Sequence, residues 1–384
     1  MFVSICLFAY LVNFGRVAFA PLVQPFMDIF EVREATAGFV ATTVWLGSAV
    51  SRLPTGVMLT RVKRHHAIVG MGIFMTGAAA ATALAPGIAL VSVGAFLIGL
   101  ASGVFYIAAN PLVSELYPSR VGWAVGIRGM SAQLAAVSAP ALVGVTLIYL
   151  SWRHVFAGIA VVAVLATGLF FLAARRAEMP EAGAEDRDLL AAAREQWPLI
   201  LTGIAVVGIT GFVWQGLFNF YESYLEAIKQ VPSGTASNLL TLIFAAGVPA
   251  FFLSGRMADR VPYIPLMVVI LSTFVVCLLT LTVVEGVLAI AALSVVMGFV
   301  IHSLFPVLDT YMLATLPDHR RGSAYAVFSA TMMLMQAPGS FVLGSLVESG
   351  IAYDTVFRGS AAAIATVVVV LFVLYRRGKL PTGG

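Results

Sequence analysis

The chain has 384 residues, of which 60% are apolar and only 10% charged, and it carries a net charge of +4 at neutral pH. A soluble domain has roughly a quarter of its residues as Asp, Glu, Lys or Arg. So sparse a charge, with a mean hydropathy of +0.99, excludes a soluble enzyme, a disordered chain and a disulfide scaffold. The apolar runs are long and unbroken rather than alternating, which argues against a transmembrane β-barrel. In such a chain the positive charge belongs to loops at a lipid bilayer, not to a nucleic-acid surface.

Read between charges and Pro/Gly breaks, the apolar runs predict an all-α membrane protein of twelve spans. The first six cover 3–27, 35–59, 66–85, 88–113, 122–148 and 153–174. The second six cover 198–224, 235–256, 263–284, 287–314, 323–346 and 355–375. Twelve spans of about 20 residues need about 240 residues, which matches the apolar share. No basic segment precedes the first run and no clear small-residue cleavage site follows it, so it reads as a retained span. Cys6 and Cys277 both fall inside apolar runs and say nothing about redox compartment.

The one long polar stretch, 175–197, includes Arg175, Arg176, Glu178, Glu181, Glu185, Asp186, Arg187 and Asp188. It reads as a solvated linker, in part amphipathic, between a bundle at 1–174 and another at 198–384. Arg61, Lys63, Arg64, Arg120, Arg256, Arg260, Arg320, Arg321, Arg376, Arg377 and Lys379 join the linker arginines on one side. Arg33, Arg153, Lys229 and Arg358 fall on the other. The positive-inside rule then predicts a multi-pass cell-membrane protein with both termini and the linker in the cytoplasm.

The halves repeat at an offset of about 200 residues, as duplicated transporters do. Gly56-Val57-Met58-Leu59-Thr60-Arg61 follows span two, and Gly255-Arg256-Met257-Ala258-Asp259-Arg260 follows span eight. Thr36-Ala37 matches Thr235-Ala236, Pro118 and Gly122 match Pro317 and Gly322, and Ala139-Pro140 with Gly144 match Ala337-Pro338 with Gly344. Over essentially its full length the sequence resembles the major facilitator superfamily (MFS), most specifically in the Gly255-x-Met-Ala-Asp259-Arg260 loop. The resemblance implies two six-helix bundles that rock about a central site lined by the first span of each half. It also implies a cytoplasmic gate braced by Gly56, Arg61 and Arg64 in one half and by Gly255, Asp259 and Arg260 in the other. Thr60 stands where that family usually has an aspartate, and its common span-four arginine is absent near Leu97 and Ile98. Span five keeps Pro140 and Gly144 but lacks most glycines of the antiporter signature.

A charge at the bilayer centre costs about 2.5–3.5 kcal/mol on insertion scales, so each ionisable group within a span is a functional candidate. Span one places Asn13, Arg16 and Gln24 on one face, with Pro21 and Pro25 positioned to break the helix beyond them. A guanidinium suits carboxylate or phosphate, so Asn13 and Arg16 are read as substrate-binding; a structural arginine tied to carbonyls is the plainer alternative. Span seven repeats the pattern with Gln215, Asn219 and Glu222, flanked by an aromatic stripe of Trp214, Phe218 and Tyr221. Gln215 and Asn219 join the substrate set, while the stripe suits packing more than binding. Span ten holds His302 and Asp309 either side of Pro306, where the first half has Gly103 and Asn110. These two and Glu222 are the candidates for proton coupling, against a plain pairing of Asp309 with an arginine. Arg52 and Arg128 lie near span ends and read as snorkelling to the headgroups. Glu115 reads as a gate or interface residue, and glycines such as Gly99 and Gly126 as close helix contacts.

No acids sit in pairs within a span, His65-His66 lies among basic residues, and no phosphate-binding glycine loop occurs. No catalytic site, metal or cofactor is therefore expected, and a membrane-embedded lipid-modifying enzyme is disfavoured. The expectation is a secondary active transporter of a small organic solute, anionic or polar, coupled to protons. One chain supplies both bundles, so a monomer suffices. The alternative is a proton-coupled exporter of hydrophobic or cationic compounds, which Arg16 opposes.

Overall fold

In the computed structural model all residues are described except Arg33, 177–188, His319, Ala337 and 382–384. Among the described residues every regular element is helical. In hydrocarbon a backbone has no water to bond to, so each span must satisfy its N–H and C=O groups internally. Eleven helical stretches are long and apolar enough to cross a membrane. They are α1 (Phe2–Leu22), α3 (Arg64–Ala83), α4 (Ile88–Leu116), α5 (Pro118–Tyr149), α6 (Trp152–Arg176), α7 (Trp197–Ala227), α8 (Ser233–Ala258), α9 (Tyr263–Val283), α10 (Val287–Thr315), α11 (Arg321–Glu348) and α12 (Tyr353–Arg376). The twelfth is α2, expected as one helix over 35–59 but formed in two pieces, Glu34–Val50 and Arg52–Leu59. Pro54 explains the break: its ring crowds the carbonyl four residues back, that of Val50, where the first piece stops.

Pro21 and Pro25 act as expected in α1. The α-helix ends at Val17, a tight turn covers Ala20–Leu22, and a new helix runs over Val23–Phe30. The polar linker contributes a short helix, Leu189–Glu195, with Ala192 buried and Leu190 exposed; the remaining linker acids and Arg187 lie outside the described residues. Midway along α7 the backbone widens into a π-turn at Ile204–Gly208.

By contacts the chain divides into two compact units. The first is 1–118, 131–194 and 317–327; the second is 119–130, 195–316 and 328–384. Within the first, α2 lies along α4, and α3 packs on α4 and α6. Within the second, α8 lies along α10, and α9 packs on α10 and α12. The repeat seen in sequence is thus a repeat of helix partners. Its closest crossings also correspond: a Cβ on Gly99 would stand 2.1 Å from the Val44 carbonyl oxygen, and one on Gly298 2.3 Å from that of Ile243. Only hydrogen fits at either crossing, so both helix pairs meet backbone to backbone. Gly103 abuts Ser48 in the first unit, and the second unit has His302 at the position equivalent to Gly103.

Candidate functional site

Arg16 is the centre of the polar cluster in the first unit. It is the next-to-last residue of the first α-helix and is only 8% exposed. Its Nη2 donates to Asn13 Oδ1 at 2.5 Å and to the Tyr106 hydroxyl of α4 at 3.2 Å. The guanidinium carbon stands 4.6 Å from the Trp45 ring centre and 5.0 Å from that of Tyr106. Asn13 in turn donates from Nδ2 to the Ala132 carbonyl at 2.5 Å. Asn13 therefore orients the arginine rather than presenting a free amide. The buried Nε has no hydrogen-bond partner, and no carboxylate pairs with Arg16 among the described residues. Such a buried charge is met only by dipoles and ring faces. The side chain of Gln24, expected on the same face, lies outside the described residues.

Arg52 does not reach outward as expected. It is 7% exposed and its guanidinium carbon stands 6.0 Å from the Tyr106 ring centre, so two arginines from successive spans address one phenol. Tyr106 went unmarked in the sequence because its role comes from α1 and α2, not from its own helix.

In the second unit the expected residues separate into three places. Asn219 is exposed and donates to the Gln215 carbonyl at 2.9 Å and to Ser340 Oγ at 2.6 Å. Ser340 itself donates to the same carbonyl, which ties α7 to α11. Gln215 and Glu222 are half-buried, and among the described residues neither side chain has a polar partner. His302 is 4% exposed, its Nδ1 lies 2.7 Å from the Gly298 oxygen, and rings of Trp214, Phe244 and Phe251 surround it at 5.4, 5.7 and 6.2 Å. The aromatic stripe is accordingly packing: Trp214 stacks on Phe218 and Tyr221 is fully buried against Ser294. Asp309, two turns along α10, instead pairs with Arg128 of α5 at 3.7 Å. Arg128 is 3% exposed, so it too is an interior residue and not a snorkelling one. His302 and Asp309 share a helix face but belong to different surroundings.

The residues expected at a gate form two sets of contacts, here called braces, at the linker-side ends of the spans. In the second unit both oxygens of Asp259 accept from the backbone N–H groups of Gly122 and Trp123, each at 2.7 Å. A carboxylate there satisfies orphan donors at the start of α5 and complements its dipole. Gly255 lies beneath, with its Cβ position 2.4 Å from the Gly122 oxygen. In the first unit Thr60 donates only to the Val57 carbonyl of its own helix, at 2.8 Å. Arg64 is buried and pairs with Glu115 at 2.5 Å, which places Glu115 in the brace. Asn110 donates to the Tyr325 hydroxyl, a tie from α4 to the start of α11. Gly56 faces Ala326 and Leu189 of the linker helix. Arg61 and Arg260 are exposed.

A repeated bundle of apolar helices with isolated interior charges is the build of a solute carrier. The sequence profile of the Major Facilitator Superfamily matches residues 5–339 and again 204–383, and the chain belongs to that family. It is a multi-pass membrane transporter and not an enzyme. Among curated proteins it is 25% identical over 389 residues to the "transcription regulatory protein OpdE" of Pseudomonas aeruginosa, covering 99% of this chain and 94% of that one. It is 27% identical over 326 residues to the uncharacterised MFS-type transporter YwfA of Bacillus subtilis, covering 82% and 77%. Among solved structures, the proton:xylose symporter XylE superposes with a TM-score of 0.78 at 13% identity, over 97% of this chain and 94% of that one. The fucose:proton symporter FucP of E. coli superposes with a TM-score of 0.73 at 17% identity, over 97% and 98%. At these identities the two structures share the fold.

Proposed function

We propose that the protein moves a small anionic or polar organic solute by alternating access, with proton coupling, between bundles at 1–174 and 198–384. The observation that carries this reading is Arg16, a buried guanidinium with no carboxylate partner among the described residues. An anionic solute would supply the missing charge, and its arrival would change which conformation is favoured. Asn13 holds the guanidinium in place, and Gln215 and Asn219 are the neutral counterparts on α7. Asp309, balanced by Arg128, is the leading proton site, with Glu222 and His302 behind it. The loops at Gly56 and Gly255 act as cytoplasmic braces that must part when the solute leaves inward. The termini and linker are assigned to the cytoplasm by the basic-residue bias. The symporter neighbours, which pair a sugar with a proton, support the coupling.

The test is a thermal-shift screen of purified protein against gluconate, benzoate, succinate, glucose and tetraphenylphosphonium. It is followed by uptake of the stabilising compound into proteoliposomes with and without an inward proton gradient. An anion should stabilise the wild type and be taken up faster with the gradient, and Arg16→Gln should lower that uptake at least about tenfold. Glucose or tetraphenylphosphonium uptake that survives Arg16→Gln would overturn the assignment.

A further inference from the structure

We infer that the solute anchored at Arg16 is a short dicarboxylate and that Arg52 reads its second charge; this rests on the reading of Arg16 as the solute anchor. The helices of the first unit bring the two arginines to one place. Arg16 closes the first α-helix, and Arg52 is the first residue of the second piece of α2. A Cβ on Gly103 of α4 would collide with the Ser48 carbonyl oxygen and the Ser51 hydroxyl, so α2 lies against α4 at the residue before Arg52. Tyr106 follows Gly103 by three positions and rises from the same side of α4. The guanidinium carbons of Arg16 and Arg52 stand 5.0 and 6.0 Å from the centre of its ring. They are therefore no further apart than those two distances laid end to end.

Both side chains are interior, 8% and 7% exposed. A guanidinium stays protonated when buried, so two positive charges face one phenol whatever else Arg52 bonds. The contacts of Arg16, namely Asn13, Tyr106 and Trp45, are neutral. The sequence places two acids on α1, α2 and α4: Glu34 begins α2 at its far end, and Glu115 is taken by Arg64. Like charges repel most strongly where water is scarce, and a monoanion would offset one of the two. A solute with two negative charges offsets both.

The donor geometry favours carboxylates. Nη2 of Arg16 donates to Asn13 Oδ1 at 2.5 Å and to the Tyr106 hydroxyl at 3.2 Å, while Nη1 has no partner among the described residues. Guanidinium hydrogens lie in the plane of the group, so a ligand oxygen meets Arg16 edge-on at Nη1. The two guanidiniums are spread around the Tyr106 ring. A dicarboxylate spreads its charge over two groups in the same way, whereas a phosphate concentrates it at one.

The experiment measures binding to the full-length protein in detergent micelles by titration calorimetry, at about pH 7.5, where both carboxyls of succinate are ionised. The probes are succinate, its monoamide succinamate, its diamide succinamide and inorganic phosphate, against the wild type, Arg16→Gln and Arg52→Gln. Succinate should bind the wild type at least about tenfold more tightly than succinamate or phosphate, with succinamide weakest. Arg52→Gln should weaken succinate about tenfold and leave succinamate within about twofold, because only the second charge has lost its partner. Arg16→Gln should abolish binding of both. Equal affinity of the wild type for succinate and succinamate would overturn the second charge while leaving Arg16 as the anchor. An equal loss of both ligands in Arg52→Gln would make Arg52 structural and overturn its role. Phosphate binding as tightly as succinate would overturn the dicarboxylate. Succinate binding that survives Arg16→Gln, or no binding by any probe, would overturn the anchor as well. If Arg52→Gln does not fold, the wild-type ratio of succinate to succinamate decides the matter.

Discussion

The loop after α8 and the loop after α2 descend from one motif and now do their work by different means. After α8, Asp259 caps the start of α5 through two backbone N–H groups. After α2, Thr60 bonds only within its own helix, and the charge has moved to Arg64 and Glu115. The same divergence recurs one layer deeper. The second unit links α10 to α5 through the Asp309–Arg128 ion pair, while the first links α4 to α11 through the neutral Asn110–Tyr325 hydrogen bond. What both halves retain is shape, since Gly99 and Gly298 leave no room for a side chain at matching crossings. Backbone contact tolerates no substitution, whereas a capping charge can be exchanged for another interaction that satisfies the same groups. One brace is therefore ionic at its helix cap and the other ionic only in its lining.

Three substitutions sharpen that contrast. The largest effect belongs to Glu115→Gln, which leaves Arg64 charged, buried and without its acid; a loss of about 3 kcal/mol is expected, read as a lower Tm of the purified protein. Asp259→Ala should lose about 1–2 kcal/mol, the range for a strong helix cap, and should also speed digestion by protease near the start of α5. Thr60→Asp restores the family's acid and should change stability by no more than about 0.5 kcal/mol, because Glu115 already meets the charge on Arg64. A Thr60→Asp gain as large as the Asp259→Ala loss would show the two loops to be equivalent after all.

The spans and the repeat of helix partners were legible because hydrocarbon thickness imposes run length and sparse charge, both visible residue by residue. The two-piece α2 was legible only in part. Pro54 stood in the sequence and its clash with the Val50 carbonyl places the break, but other spans keep an internal proline such as Pro111 or Pro140 without breaking, so a proline alone does not foretell one. At the site, Arg16 could be picked out by its lack of an acid on its own helix. Its partners could not, for Tyr106 and Trp45 come from α4 and α2. Arg52 and Arg128 misled for the same reason. Distance from a helix end suggested headgroups, but Tyr106 and Asp309 hold them inside. Pairings between spans are decided by tertiary contact, which single-helix periodicity does not encode.

The π-turn at Ile204–Gly208 bears on how α7 is drawn as a helical wheel. A turn with one extra residue rotates everything after it by about 100° relative to a continuous α-helix. Gln215, Asn219 and Glu222 all follow the turn, so they keep their common face among themselves. Against Thr202 and Gly203, which precede it, that face points elsewhere than any uninterrupted projection from Trp197 would place it. The Gln336 side chain fastens the wound segment by donating to the Val207 carbonyl at 3.3 Å. The aim of α7 is thus set by a phase shift that α11 holds in place, and a substitution at Gln336 would act on the direction of residues it never touches.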